Sequence, residues 1–277
     1  MRSRQRKIED IGAGDVAVLG LPFEDLAAPY PGQHLAARAI RETSVYFGWH
    51  ANPQFSHPVD IASRRQVETA GLHERLSDIG DLSPEQQNPA SALADVAGTL
   101  SQRGACLVIL GGPRWLSEPA RHAAGALSTV QMGGAATDPA AFHIAPASND
   151  SNARHVAHAG RLSESEMPSA FSDWHTGKAP IFLNFDLSVF SASLAALCDQ
   201  PRLGGCGLVE VAGWMAALGR LPVRAVHVTG LNPTRPGMGV VKVGQRLTVT
   251  ALLPFIYSKL GFTPEVPEQF VNREPEQ

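Results

Sequence analysis

The sequence predicts an α/β protein, a single three-layer α/β/α domain around a mainly parallel sheet. Three observations carry that expectation. Short apolar runs such as ACLVILGG (105–112) alternate with longer amphipathic stretches such as NPASALADVAGTLSQRG (88–104). The runs are continuously apolar, as strands covered on both faces must be. And 277 residues at 44% hydrophobic content suffice for one large core.

In chain order, DVAVLGLPF (15–23) reads as a buried strand and LSDIGDL (76–82) as a shorter one. Residues 88–104 carry Ala and Leu at helical spacing, with Asn88 as N-cap, Pro89 at the first helical position and Gly104 near the stop. The run 105–112 is the clearest strand. A helix over 115–126, strands over 128–134 and 141–147, and a helix over 148–161 are expected next. APIFLNFDLSVF (179–190) reads as a strand, 208–218 as a helix, VRAVHVTGLN (223–232) as a strand and 248–260 as the last helix. Residues 1–14 are expected to form a flexible N-terminus, 15–262 the domain, and 263–277 a frayed tail.

Composition excludes several functions. Lys and Arg number 23 against 26 Asp and Glu, a formal charge of −3, which does not suit a general nucleic-acid binder. No apolar run approaches the ~20 residues that span a bilayer, and the basic start MRSRQRKIED lacks the apolar stretch of a secretory signal. Cys106, Cys198 and Cys206 are too few and scattered for a disulfide framework or a thiolate zinc site. A cytoplasmic protein is expected. No G-x-G-x-x-G follows a strand and no G-K-[ST] occurs.

In a parallel sheet, ligands gather at the carboxyl ends of the strands. Those ends are 22–25, 111–115, 133–138, 186–191 and 230–235. A metal hydrolase needs a dense set of His and carboxylates there. The sequence supplies only Glu24, Asp25, Asp138 and Asp186.

An ordered set of segments nevertheless resembles the ureohydrolases, the family of arginase, agmatinase and formiminoglutamase. GLPFE (20–24) is similar to G-[VI]-P-[FY]-[DS], and YPGQHLAARAIRETS (30–44) to R-P-G-A-x-x-G-P-x-A-I-R. LSDIGDL resembles V-D-L-G-D-V, and LVILGGPRW (107–115) the strand ending G-G-D-H-S. IFLNFDLSVF (181–190) resembles S-x-D-x-D-x-x-D-P, Gly204-Gly205 falls where P-E-P-G-G would, and HVTGLNP (227–233) resembles D-x-V-E-V-N-P. The likeness spans roughly 15–262. It implies an arginase-like fold and, in the family, two Mn(II) ions held by two histidines and four aspartates.

Carried over residue by residue, that ligand set is broken. The first histidine position holds Arg114, after Pro113 in place of an aspartate. D-A-H-x-D reads GAATD, so Gly134 and Ala136 replace two ligands and Asp138 remains. Of the D-x-D pair, Asp186 is kept and Ser188 replaces its partner. The glutamate of V-E-V-N-P falls at Gly230. Asp138 is followed almost at once by the next strand, so the family's substrate-binding loop is expected to be missing.

Two dications need carboxylates to offset their charge, and an arginine at a ligand position opposes them. At ~4 Å and an effective dielectric near 20, a unit-charge pair is worth about 4 kcal/mol. Arg114 is therefore expected to replace a cation as the partner of Asp138 or Asp186. The functional expectation is a catalytically inactive ureohydrolase-like protein without a cofactor, serving as a non-catalytic or regulatory subunit. Its expected partners are its own copies, as a trimer or hexamer, or an active ureohydrolase paralogue. The alternatives are a metal-dependent amidinohydrolase, or a metal-free binding protein using Arg114, Trp115, Asp138, Asp186, Ser188 and Arg235 around the old cleft.

Other candidates have plainer readings. His155 and His158 are expected on a solvated helix face, and Asp173 and His175 in a connection. Ser188 and Ser191 read as turn formers, Cys206 as a packing residue, and His227 as a satisfied core histidine rather than a base. Asp78 and Asp81 are expected to cap backbone amides.

Overall fold

The computed structural model describes residues 6–26, 31–44, 59–60, 65–67, 71–134, 138–145, 155–158, 169–175, 179–191, 205–234, 243–262 and 264–265. Strands are β1 Val16–Gly20, β2 Val59–Asp60, β3 Arg65–Val67, β4 Leu76–Asp81, β5 Cys106–Leu110, β6 Ser128–Met132, β7 Phe142–Ala145, β8 His155–His158, β9 Ile181–Asp186, β10 Val223–Thr229 and β11 Pro264–Glu265. Helices are α1 Ala36–Ser44, α2 Leu72–Arg75, α3 Pro89–Gln102, α4 Ser117–Ala123, α5 Ser169–Trp174, α6 Leu208–Gly219 and α7 Val243–Leu260.

Eight strands form one parallel sheet in the order β4-β1-β5-β10-β9-β6-β7-β8. The two-residue period of a strand sends alternate side chains to opposite faces. Val16 and Val18 of β1, Val108 of β5 and Val226 of β10 pack with Ile40 of α1, Trp214 of α6 and Phe255 of α7. Their neighbours Ala17, Leu19, Leu107, Ile109 and Ala225 pack instead with Leu93 and Leu100 of α3 and Ala120 of α4. Both faces are thus covered, which is why every residue of β1 and β5 is buried. The three-layer α/β architecture is as the apolar runs predict.

Local signals hold where propensity and packing agree. The Asn88 side chain accepts from the Ser91 amide at 3.0 Å, and Pro89 opens α3. Asp78 accepts from the Gly80 amide, but Asp78 and Asp81 are also the ion partners of Arg41. The expected helix over 115–126 is a short 3-10 turn, Arg114–Leu116, followed by α4.

Three expectations are corrected. The helix expected over 148–161 contains strand β8, paired in register with β7 from Phe142↔His155 to Ala145↔His158. Pairing with an available sheet edge overrides local propensity there. The helix face expected to carry His155 and His158 is therefore a strand. Asp173 lies in α5 rather than in a connection; Phe171 and Trp174 of that helix pack on Phe142, with centroids 5.1 and 5.5 Å away, and His175 stacks on Phe171. The tail expected to fray from 263 begins with β11, which with β2 and β3 makes a small antiparallel sheet.

Candidate functional site

The carboxyl ends of four adjacent strands meet at Asp186. It is the last residue of β9, and its side chain is 0% exposed. Gly111, Gly112 and Pro113 turn the chain off β5 so that Arg114 reaches across; its Nε donates to Asp186 Oδ2 at 2.6 Å. Thr229, the last residue of β10 and in register with Asp186, donates its hydroxyl to the same oxygen at 2.9 Å. The Ser188 amide donates to Oδ1 at 3.0 Å. Ser188 Oγ in turn accepts from the Gly134 amide beyond β6 at 2.7 Å.

A lone buried carboxylate would be costly, and burial by itself pushes the Asp186 pKa up. The Arg114 guanidinium overrides this, helped by the Ser188 hydroxyl and amide and the Thr229 hydroxyl, and holds it below the ordinary carboxylate value. Asp186 is therefore ionised, and Arg114 supplies the positive charge beside it. Among the two partners left open by the sequence, the geometry selects Asp186.

The backbone is shaped to this pair. Gly230 has φ +82°, and a Cβ there would sit 2.9–3.1 Å from the Asp186 carboxylate. Gly134 has φ +64° and lies beside the same carboxylate, 3.6 Å from where its Cβ would be. The positions that the resemblance gives to a glutamate and an aspartate thus hold glycines pressed against Asp186.

The other candidates are not gathered here. Asp138 Oδ1 accepts from the Ala140 amide at 2.8 Å, capping the turn into β7, and its charge acts on Arg121. The next strand begins at Phe142, so the connection is as short as the sequence implies. Glu24 accepts from the amides of Gly32 and Gln33 at 3.0 and 3.1 Å and meets the His34 ring. Burial raises its pKa, while the His34 contact and these amides outweigh burial and lower it. Trp115 stands half-exposed next to Arg114. Ala136 and Arg235 lie outside the described residues. Ser188 is a bonded, fully buried part of the Asp186 cluster rather than an exposed hydroxyl.

Sequence reasoning missed two participants. Thr229 carried no signal beyond its place at a strand end. Ser117, three residues past Arg114, brings its hydroxyl 2.7 Å from Nδ1 of His227. His227 is buried in β10, and its Nε2 is 2.9 Å from the Gly111 carbonyl, which can only accept. The Nε2–H tautomer follows, with Nδ1 free to accept the Ser117 proton. Burial pulls the His227 pKa down to about 4, against the Gly111 bond and the Asp186 charge, so the ring is neutral near pH 7. Cys206 is buried with its thiol pushed up to about 12 by burial and by Glu210, which leaves it inert.

The residues present do not fit two Mn(II) ions. Asp186 already spends both oxygens on an arginine, a threonine and a serine amide, and Asp138 faces Ala140. Among the described residues no group of three or more His, Cys, Asp or Glu is placed to hold a metal. Among the same residues no helix is long and apolar enough to cross a membrane.

In sequence the chain matches no family model and no curated protein. In structure it is similar to a hypothetical agmatinase from Burkholderia thailandensis, with TM-score 0.68 and 19% identity over 92% of this chain and 88% of that one. It is also similar to proclavaminate amidinohydrolase from Streptomyces clavuligerus, with TM-score 0.65 and 19% identity over 89% and 92% of the two chains. A third likeness is to Trypanosoma cruzi formiminoglutamase solved with Mn2+, with TM-score 0.69 and 18% identity over 93% and 96%. The fold is therefore arginase-like.

Proposed function

We propose that this ureohydrolase-fold chain is not a working amidinohydrolase but a pseudoenzyme, acting as a non-catalytic or regulatory subunit. The observation that carries the reading is the Arg114–Asp186 pair. A guanidinium at 2.6 Å from a buried carboxylate uses the charge that would otherwise help hold a dication. It also places a fixed cation where a second, metallic one would be repelled. Without a metal to lower the pKa of bound water, the groups bonded to Asp186, from Arg114, Thr229 and Ser188, offer no base for attack on a guanidine carbon.

The scaffold is kept while the site is rebuilt. The partner chemistry this suggests is a surface like its own, either further copies of this chain or an active ureohydrolase of the same fold.

The test is metal analysis of the purified chain after dialysis against Mn(II), with urea-release assays on arginine, agmatine and guanidinobutyrate. The expected result is no stoichiometric manganese and no urea. Chelator-sensitive urea release overturns the reading in favour of a metal-dependent amidinohydrolase. Co-purification of an active ureohydrolase chain, with its activity changed on mixing, supports the subunit role; a monomer that shifts its melting temperature only with a small acid overturns that role.

A further inference from the structure

We propose that Ser117 is a nucleophile activated by His227, forming a metal-free site for a small acyl or organophosphoryl group. This goes beyond the metal-free reading of Asp186 and does not depend on it. Three observations converge. Ser117 Oγ lies 2.7 Å from His227 Nδ1, within the reach required of a nucleophile and its base. The Gly111 carbonyl, 2.9 Å from Nε2, compels the tautomer in which Nδ1 is the acceptor. And the two elements are held rigidly: His227 pairs with Ile109 in β5 and Asn184 in β9, while Ala120 of α4 is packed in the core on that face.

Ser117 is half-buried and His227 fully buried, which confines the proposal to small electrophiles. The arrangement parallels a hydrolytic triad in which a backbone carbonyl takes the place of the orienting carboxylate. Burial keeps the imidazole neutral near pH 7, with Nδ1 unprotonated.

The step balances as follows. Ser117 Oγ attacks the carbonyl carbon of an ester while its proton passes to His227 Nδ1. The C–O bond to the alcohol breaks, and the departing alkoxide takes that proton, leaving the acyl group on Ser117. Water then attacks the acyl carbon and gives a proton to Nδ1; the proton returns to Ser117 Oγ as the carboxylic acid leaves. With a fluorophosphonate the same attack breaks the P–F bond, fluoride departs, and the adduct stays on Ser117.

The experiment treats the full-length chain with a fluorophosphonate probe and maps adducts by mass spectrometry, alongside p-nitrophenyl acetate. The expected result is one adduct on the peptide containing Ser117. It should be absent in Ser117→Ala and at least tenfold slower in His227→Gln, with a matching loss of p-nitrophenol release. Because His227 is packed in the core, the melting temperature of His227→Gln is read beside its labelling rate, and Ser117→Ala, at a half-buried position, provides the second measurement.

No adduct on the wild-type chain, or an adduct that persists in Ser117→Ala, overturns the proposal. So does a melting temperature that falls in Ser117→Ala while the wild-type chain stays unlabelled, which would mark a purely structural hydrogen bond. Manganese binding or urea release would not bear on any of these readouts, so this proposal and the reading that the chain is not a working amidinohydrolase fail separately.

Discussion

Two arginine–carboxylate clusters hold the sheet, one at its centre and one toward its edge, and they are built on different terms. At the edge, Arg41 of α1 pairs with Asp78 at 2.7 Å and with Asp81, all three side chains between 21% and 43% exposed. Water shares the work there, and the Gly80 carbonyl takes a further bond from Arg41. At the centre, Asp186 has no water to fall back on, while Arg114 is 38% exposed. The comparison teaches that the edge cluster is an ordinary clamp, whereas the central one is a buried charge that must have a cation. A metal could be that cation in a related fold; here a side chain is.

The sharpest way to break the comparison is Arg114→Ala. It leaves an uncompensated buried carboxylate and is expected to cost about 4 kcal/mol at pH 7 by urea denaturation. Asp186→Asn should cost clearly less, because the half-exposed guanidinium can hydrate. Equal losses would show that Asp186 does not depend on Arg114. The difference between wild type and Arg114→Ala should also shrink in acid. In the wild type the lowered Asp186 pKa means stability that is complete above the ordinary value of 3.8 and is lost as pH falls through the depressed folded value. In the variant, burial favours the protonated acid, so acidification relieves the penalty.

The centre should respond to pH in a second window. His227 falls from 6.5 to about 4 on folding. Between those values the unfolded chain binds more protons, so stability rises with pH there and is lost on acidification from 6.5 toward 4. The expected loss is on the order of 3 kcal/mol, read from urea midpoints at pH 7, 5.5 and 4. His227→Gln should flatten that slope; an unchanged slope would place the titration elsewhere.

Gly230→Ala tests the backbone around the central pair. A Cβ 2.9–3.1 Å from the carboxylate at φ +82° should cost about 2 kcal/mol, together with a weakened response to Arg114→Ala in the double variant. The smallest effect belongs to the edge. Arg41→Ala should cost about 1 kcal/mol and shrink further in high salt, whereas the central pair should hardly respond to salt. Similar salt sensitivity at both would erase the distinction.

Much of the fold could be read directly. The runs of β1 and β5 are apolar throughout because both faces are covered, and α3 announces itself through Asn88, Pro89 and its Ala/Leu spacing. What escaped was decided by distant pairing. HVAH becomes β8 only because β7 offers an edge, and Pro264–Glu265 becomes a strand only because residues 65–67 lie opposite. The site divides in the same way. That Arg, Gly, Ala and Ser stand at 114, 134, 136 and 188 is a matter of residue identity and needs no coordinates.

The sequence by itself determined the α/β class, the strand ends at which chemistry could occur, and the mismatch between those ends and a dication's need for donors. Only the tertiary structure decided that Arg114 serves Asp186 while Asp138 caps a turn, and that Ser117 meets His227 across 110 positions of chain. The reason is physical. Residue types set which charges exist, whereas the register of the parallel strands and the path off each strand end set which of them come within 3 Å.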